Sequence, residues 1–112
     1  MVERHAASKV LSSNKVVVET QKTRAGRDAA GADTRPYRFG EFDILAVSIE
    51  ASTRDWTQFR YTVANWLLPR PDNPGVMMKF QPVSLATDAD WTDRIDIAIE
   101  WFFEGKSRTI SL

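Results

Sequence analysis

Cysteine is absent from the 112 residues, and this absence excludes disulfides and thiolate metal sites. It also fits a reducing compartment, so we expect a cytoplasmic protein. Histidine occurs once, as His5, which leaves no Ser/His/Asp or Cys/His arrangement and no histidine metal cluster. The sequence also lacks a glycine-rich phosphate loop. The candidate chemistry therefore rests on carboxylates, amides and cations.

Long apolar runs are missing as well. The longest, residues 44–47 and 97–103, are far shorter than the roughly 20 residues of a membrane span. The N-terminal residues lack the apolar segment of a signal peptide. We therefore expect a soluble protein without a membrane partner, built as one small domain over residues 15–112 after a flexible or weakly helical N-terminus at residues 1–14.

Net charge is zero, but the charges are unevenly distributed. Residues 1–40 hold eight Lys or Arg against four Asp or Glu, a balance of +4, and residues 41–112 hold seven against eleven, a balance of −4. A polyanion such as DNA would be steered toward the basic end. A dipolar surface with no such ligand fits the same numbers, and both interpretations stay open.

The apolar pattern predicts an α/β (α+β) fold: a small mixed sheet of three or four strands followed by a C-terminal amphipathic helix. Residues 15–21 predict a strand that turns polar at Glu19, and residues 42–49 predict a central strand buried on both faces. Residues 56–64 alternate between apolar and polar side chains, as a half-exposed or edge strand does.

The C-terminal half contains three further predicted segments. Residues 69–75 hold three prolines and predict a surface loop. Residues 76–83 resume an extended pattern that Pro82 stops. Asp90 or Thr92 would cap a helix that Gly105 terminates, with its acidic residues on a solvated face. We expect the tryptophans, Phe59, Tyr61 and Phe80 to pack in the core rather than stack on nucleic-acid bases.

Glu19 and Gln21 are the candidate metal-binding pair. Side chains two positions apart on a strand point to the same side, so a carboxylate and an amide oxygen could share one Mg²⁺ ion. Such an ion would assist hydrolysis of a phosphodiester, and Lys22 or a loop arginine would balance the charge on the phosphate. A solvent-facing strand end also carries polar residues without any function, so spacing alone leaves the question open.

The sixteen residues from 23 to 38 form a polar loop that carries the candidate DNA-binding cations. Loops of this length within compact domains tend to be functional or disordered. Guanidinium groups suit phosphate, and contacts of this kind give salt-dependent affinity without sequence choice. Pairing of this loop with the acidic C-terminal helix is the alternative. The arginines concerned are Arg24, Arg27, Arg35 and Arg38.

Two stretches resemble the restriction-endonuclease-like PD-(D/E)XK nuclease superfamily, in proteins of bacterial and phage type. They are residues 18–24 and 37–47, and the resemblance covers roughly residues 15–68. It implies that Glu19 matches the second conserved acid and that Gln21 occupies the position of the lysine two residues later, with Lys22 adjacent on the opposite face. It further implies a truncated restriction-endonuclease-like core that hydrolyses DNA with Mg²⁺ bound by Glu19.

The sequence departs from this superfamily in one respect. The first metal-binding aspartate of the superfamily lies on the preceding strand, yet the only acid upstream of Glu19 is Glu3. Three explanations are open: the chain is a fragment or remnant of a longer nuclease, Asp43 on the next strand replaces the missing acid, or the domain is inactive. In the last case it would be an interaction or DNA-binding module that joins another copy of itself or a partner chain.

Overall fold

The chain is described by a computed structural model, which covers residues 2–12, 14–20, 37–49 and 58–111. These residues form a mixed α+β fold, and this general class confirms the sequence prediction. The number of strands exceeds the three or four expected. The elements are β1 (Val2–Ser12), β2 (Lys15–Glu19), β3 (Ile44–Ser48), β4 (Phe59–Val63), β5 (Pro69–Arg70), β6 (Asn73–Met77), β7 (Phe80–Ser84) and α1 (Ile95–Glu104).

Five strands form the main sheet in the order β4-β3-β1-β2-β7, and β5 and β6 form a separate two-stranded ribbon. β1 runs parallel to β3, and the other neighbours in the sheet are antiparallel. β1 changes partner along its length, because residues 2–6 pair with β3 and residues 7–12 with β2. The sheet therefore curls about β1.

The prediction of a flexible or weakly helical segment at residues 1–14 was wrong, because residues 2–12 form the central strand β1. The run of Ala, Ser and Lys has little strand propensity of its own. β2 and β3 each present backbone groups to β1, and pairing with both satisfies the hydrogen-bonding groups of the segment. His5, expected in a mobile terminus, is half-buried.

The strands predicted around residues 15–21, 42–49 and 56–64 are confirmed as β2, β3 and β4. β3 is buried on both faces, as expected. In β4 the polar side chains of the alternating pattern, Arg60 and Thr62, are the buried ones. Arg60 donates from Nε to the Leu85 carbonyl at 2.7 Å, and the Thr62 hydroxyl donates to the Asp90 carbonyl at 2.7 Å. These partners satisfy polar groups that would otherwise be costly to bury.

Two predictions in the following segment were wrong. Residues 69–75 belong largely to the β5–β6 ribbon instead of a surface loop. Pro82 does not stop a strand, since it lies inside β7 opposite Val17. β7 is an edge strand of the main sheet, where proline is tolerated because one side of the strand needs no ladder donor.

The predicted C-terminal helix is confirmed as α1. Its N-cap is Arg94, which makes no side-chain cap hydrogen bond, so the prediction that Asp90 or Thr92 caps the helix was wrong. α1 ends at Glu104, and Gly105 follows in the left-handed conformation with φ of 69°.

α1 packs mainly on β4, and Ala98 is fully buried. Trp66 and Trp91 lie in the core as predicted, Trp101 packs against the core partly buried, and Trp56 lies outside the described residues. The acidic side chains of α1 are exposed. In the part of the chain that the structure describes, no helix is long and apolar enough to cross a membrane.

Candidate functional site

A row of solvent-accessible side chains crosses all five strands of the main sheet. Phe59 pairs with Ser48, Ser48 with Ala6, and Glu19 with Phe80. Ala7 pairs with Val18, so the next residues along these two strands, Ala6 and Glu19, lie side by side on the opposite face. We call these five residues the exposed row: Phe59, Ser48, Ala6, Glu19 and Phe80.

Burial separates the exposed row from the positions next to it. None of its five members is buried. The adjoining positions Val47, Ala7, Val18 and Gln81 are all buried. β2 and β3 end at the row, and β4 and β7 begin there. The row therefore lies where the sheet leaves the core and meets its loops, a position in which side chains of a rigid scaffold can reach a ligand.

Glu19 is the acidic member of the exposed row. Its side chain is 42% exposed, and Oε1 lies 3.7 Å from Nζ of Lys79. Thr20 fixes this arrangement, because its backbone N–H donates to the Lys79 carbonyl at 2.6 Å and its hydroxyl donates to the Met78 carbonyl at 2.8 Å. Thr20 is fully buried. The end of β2 and the segment before β7 are thus held together, with a carboxylate and an ammonium group side by side at the surface.

Each end of the exposed row carries a cation over an aromatic ring. The guanidinium carbon of Arg4 lies 5.4 Å from the centroid of Phe59, and Nζ of Lys79 lies 5.3 Å from the centroid of Phe80. Both distances are in the range of cation–π attraction. Phe80 is 42% exposed and Phe59 is half-buried, so the expectation that both pack in the core is wrong for Phe80 and holds only in part for Phe59.

A cleft of about 470 Å³ opens at the Phe59 end of the exposed row. The small residues Ala6 and Ser48 of the neighbouring strands line it together with Arg4 and Phe59. His5 also lines the cleft.

The predicted site residues fall into two groups. Glu19 and Arg38 are described, whereas Gln21, Lys22, Arg24, Arg27 and Arg35 lie outside the described residues. Glu19 is accessible at the end of β2, as the sequence indicated. Arg38 is exposed. Its backbone forms a β-bridge with Val76 of β6, so the β5–β6 ribbon positions Arg38. Its N–H donates to the Glu41 carboxylate at 2.7 Å.

Neither acid considered as a second metal ligand lies beside Glu19. Asp43 precedes β3, whereas Ser48, the residue of β3 in the exposed row, ends that strand, about 17 Å away along the strand. Asp43 therefore does not replace the missing acid. Glu3 lies on β1 and belongs to the opposite face from Ala6. Its carboxylate accepts a hydrogen bond from the Tyr37 hydroxyl at 3.1 Å.

Glu3, His5 and Tyr37 form a cluster on that opposite face. Burial, followed by the hydrogen bond and the charge of Glu3, raises the pKa of Tyr37 to about 12. Burial lowers the pKa of His5, and the nearby charge of Glu3 opposes this shift only in part. The two rings meet edge to face at 5.7 Å. Within the described ranges, Nε2 of His5 is buried without a hydrogen-bond partner.

The donors available for a divalent cation are few. Among residues 2–12, 14–20, 37–49 and 58–111, no three His, Asp or Glu side chains converge as a metal site. Glu19 is one accessible oxygen donor. If one carboxylate is the protein ligand of Mg²⁺, water and substrate phosphate must supply the remaining ligands of the ion.

Sequence reasoning missed Lys79, Arg4 and Phe80. Lys79 and Phe80 meet Glu19 only through the pairing of β2 with β7, which local periodicity does not reveal. Arg4 lay in a segment that was not expected to be a strand. Composition gave the one available signal. Lys79 directly precedes Phe80, and Arg4 lies within the basic residues 1–40.

Comparisons of the chain with protein-family models, with curated proteins and with solved structures found no match. The exposed row and its surroundings are therefore the features that bear on function.

Proposed function

We propose that the protein is a DNA-associated protein of the restriction-endonuclease-like class that hydrolyses phosphodiesters with Mg²⁺ bound at Glu19. One observation supports this most directly: an accessible carboxylate ends an interior strand of a mixed sheet with an ammonium group 3.7 Å away. A metal-binding carboxylate beside a lysine is the arrangement that the resemblance to the PD-(D/E)XK superfamily implies. Lys79, from the segment that precedes β7, would here take the place that Gln21 does not fill.

The chemistry divides between the metal and the side chains of this chain. Mg²⁺, when bound, would polarise a phosphoryl oxygen and lower the pKa of a coordinated water. Glu19 would supply the protein oxygen that holds the ion. Lys79 would exchange its contact with Glu19 for one with the phosphate, where it balances developing negative charge. Gln21 and Lys22 would assist at the same phosphate, and the arginines at 24, 27, 35 and 38 would hold the DNA backbone.

Glu19→Ala tests this proposal. The purified protein is incubated with supercoiled plasmid DNA and Mg²⁺, and nicked and linear products are measured over time. We expect cleavage by the wild-type protein, none in EDTA and none by Glu19→Ala. Glu100→Ala removes an exposed acid on α1 and is the matched control, which should cleave as the wild type does. Cleavage by Glu19→Ala at the wild-type rate would refute the assignment.

A second candidate is a catalytically inactive module that binds DNA or a partner chain. This candidate is favoured because the exposed row contributes only one carboxylate as a metal ligand. Calorimetric titration with Mg²⁺ and Mn²⁺ separates the two candidates. Salt-dependent DNA binding without saturable metal binding or cleavage would support the inactive module and exclude hydrolysis.

A further inference from the structure

We propose that the exposed row is a binding site for single-stranded nucleic acid. An unpaired nucleotide would enter the cleft beside Phe59, and the strand would continue past Glu19 to Phe80. The choice of nucleic acid as the ligand rests on the proposed function, but the inference does not depend on hydrolysis. The protein would bind such a strand whether or not it cleaves it.

The length of the exposed row fits a short stretch of one strand. Five neighbouring strands are spaced by 4.7–4.9 Å each, so the row spans about 19 Å from Phe59 to Phe80. A stacked nucleic-acid strand rises about 3.4 Å per nucleotide. The row therefore accommodates about six nucleotides, and fewer if the strand is extended.

The two ends of the exposed row offer the same pair of chemical groups. Arg4 with Phe59 at one end and Lys79 with Phe80 at the other each combine a cation with an aromatic ring. A ring can contact the face of a base or a sugar, and the adjacent cation can contact the phosphate of the same nucleotide. Arg4 is exposed, and its contact with Phe59 restrains the guanidinium group at the mouth of the cleft.

The cleft beside Phe59 and the exposed ring of Phe80 favour an unpaired strand over a duplex. A volume of about 470 Å³ falls within the roughly 300–1,000 Å³ of sites for small ligands, which suits one nucleotide. The bases of a duplex are already stacked and paired, so their faces cannot meet Phe59 or Phe80 without being extruded. An unpaired strand presents those faces without that cost.

Fluorescence anisotropy with the full chain tests the inference. The probe is a labelled twelve-nucleotide oligothymidine, and the comparison is a labelled duplex of the same length, both in EDTA to prevent cleavage. We expect the single strand to bind at least about fivefold more tightly than the duplex, since removal of one base-stacking contact has at least this effect. Equal or tighter binding of the duplex would overturn the inference.

Substitutions locate the binding site. Phe80→Leu keeps an apolar side chain at an exposed position and should weaken single-strand binding at least about fivefold. Phe103→Leu is the matched control, because Phe103 is a 79% exposed phenylalanine on α1. It should bind as the wild type does. Equal affinities of these two variants would contradict the role of Phe80.

A second pair of variants tests the cation. Arg4→Gln should weaken binding and make its salt dependence less steep, because one phosphate contact is lost. Arg94→Gln removes the same charge from an exposed arginine near the start of α1 and should leave both quantities unchanged. Equal effects of the two substitutions would show that only overall charge matters and would refute a defined site.

The outcomes separate this inference from the proposed function. Single-strand binding that depends on Phe80, in a protein that never cleaves DNA, would support the inference and refute hydrolysis. Duplex cleavage that depends on Glu19, in a protein that prefers duplex DNA and tolerates Phe80→Leu, would support hydrolysis and refute the inference.

Discussion

Lys79 places its Nζ 3.7 Å from Oε1 of Glu19, although 60 residues separate the two in the chain. The contact exists because β2 pairs with β7 and because buried Thr20 binds the carbonyls of residues 78 and 79. Both side chains are partly exposed, and such pairs contribute little to stability. Under the proposed function, substitution of this pair should therefore affect activity at the exposed row more than folding.

Lys79→Gln should affect activity more than stability. We expect the free energy of unfolding to change by at most about 0.5 kcal/mol, because the lost ion pair is solvent-screened. The rate of Mg²⁺-dependent cleavage should fall about 100-fold, as on loss of one group that stabilises transition-state charge. Urea unfolding and the plasmid assay measure the two effects. Lys106→Gln serves as the control, and a wild-type cleavage rate for Lys79→Gln would contradict its role.

Asp90→Ala should destabilise the fold. The buried Asp90 carboxylate accepts a hydrogen bond from Arg108 at 2.6 Å and another from the Ser111 N–H at 2.9 Å. Its removal leaves both donors without this partner, at a cost of about 2–3 kcal/mol after allowance for the partial exposure of Arg108.

Urea denaturation measures this loss. Asp96→Ala is the control, because it removes an exposed aspartate whose ion pair with Arg94 lies in solvent. A similar loss of stability in both variants would show that the buried position of Asp90 is not what matters.

Gly105→Ala should destabilise the protein through the backbone alone. Gly105 has φ of 69°, and an added Cβ would meet no atom within 4 Å. The left-handed conformation costs a residue with a side chain about 1 kcal/mol. Gly75→Ala should be close to neutral, because its φ is not positive and its Cβ would make an ordinary contact with Asn73 at 3.6 Å. Thermal or urea unfolding distinguishes the two, and equal losses would contradict this account.

The stability of the protein should fall on mild acidification because of His5. Burial lowers the pKa of His5 in the folded state below its ordinary value of 6.5. As the pH falls, His5 therefore takes up its proton at a higher pH in the unfolded chain than in the folded protein. The contribution of His5 lowers the free energy of unfolding as the pH falls below 6.5, and this decrease ends below the pKa of the folded state.

Two measurements check this prediction. A proton NMR titration of the only histidine should give a pKa below 6.5 in the folded protein. Urea unfolding of His5→Gln should lack this component, so the stability difference between variant and wild type should change between pH 7 and pH 5. A pKa at or above 6.5 would refute the buried, neutral state of the ring.

Local sequence pattern was sufficient for several elements. The apolar run of β3 predicts a strand that is covered on both faces, and the terminating Gly105 predicts the end of α1. The position of Glu19 at the polar end of β2 predicts an accessible carboxylate. In each case the periodicity or the conformational preference of a few consecutive residues decides the outcome.

The remaining features depend on which segments pair. The sequence by itself determined the strands β2, β3 and β4, the helix α1 and the accessibility of Glu19. Only the tertiary structure decided that residues 2–12 are a strand, that Arg60 and Thr62 face inward, and that Phe80 joins Glu19 in the exposed row with Arg4 and Lys79 at its ends. The physical reason is that weak local preferences yield to backbone hydrogen bonds and burial between segments far apart in the chain, and no local pattern records those partners.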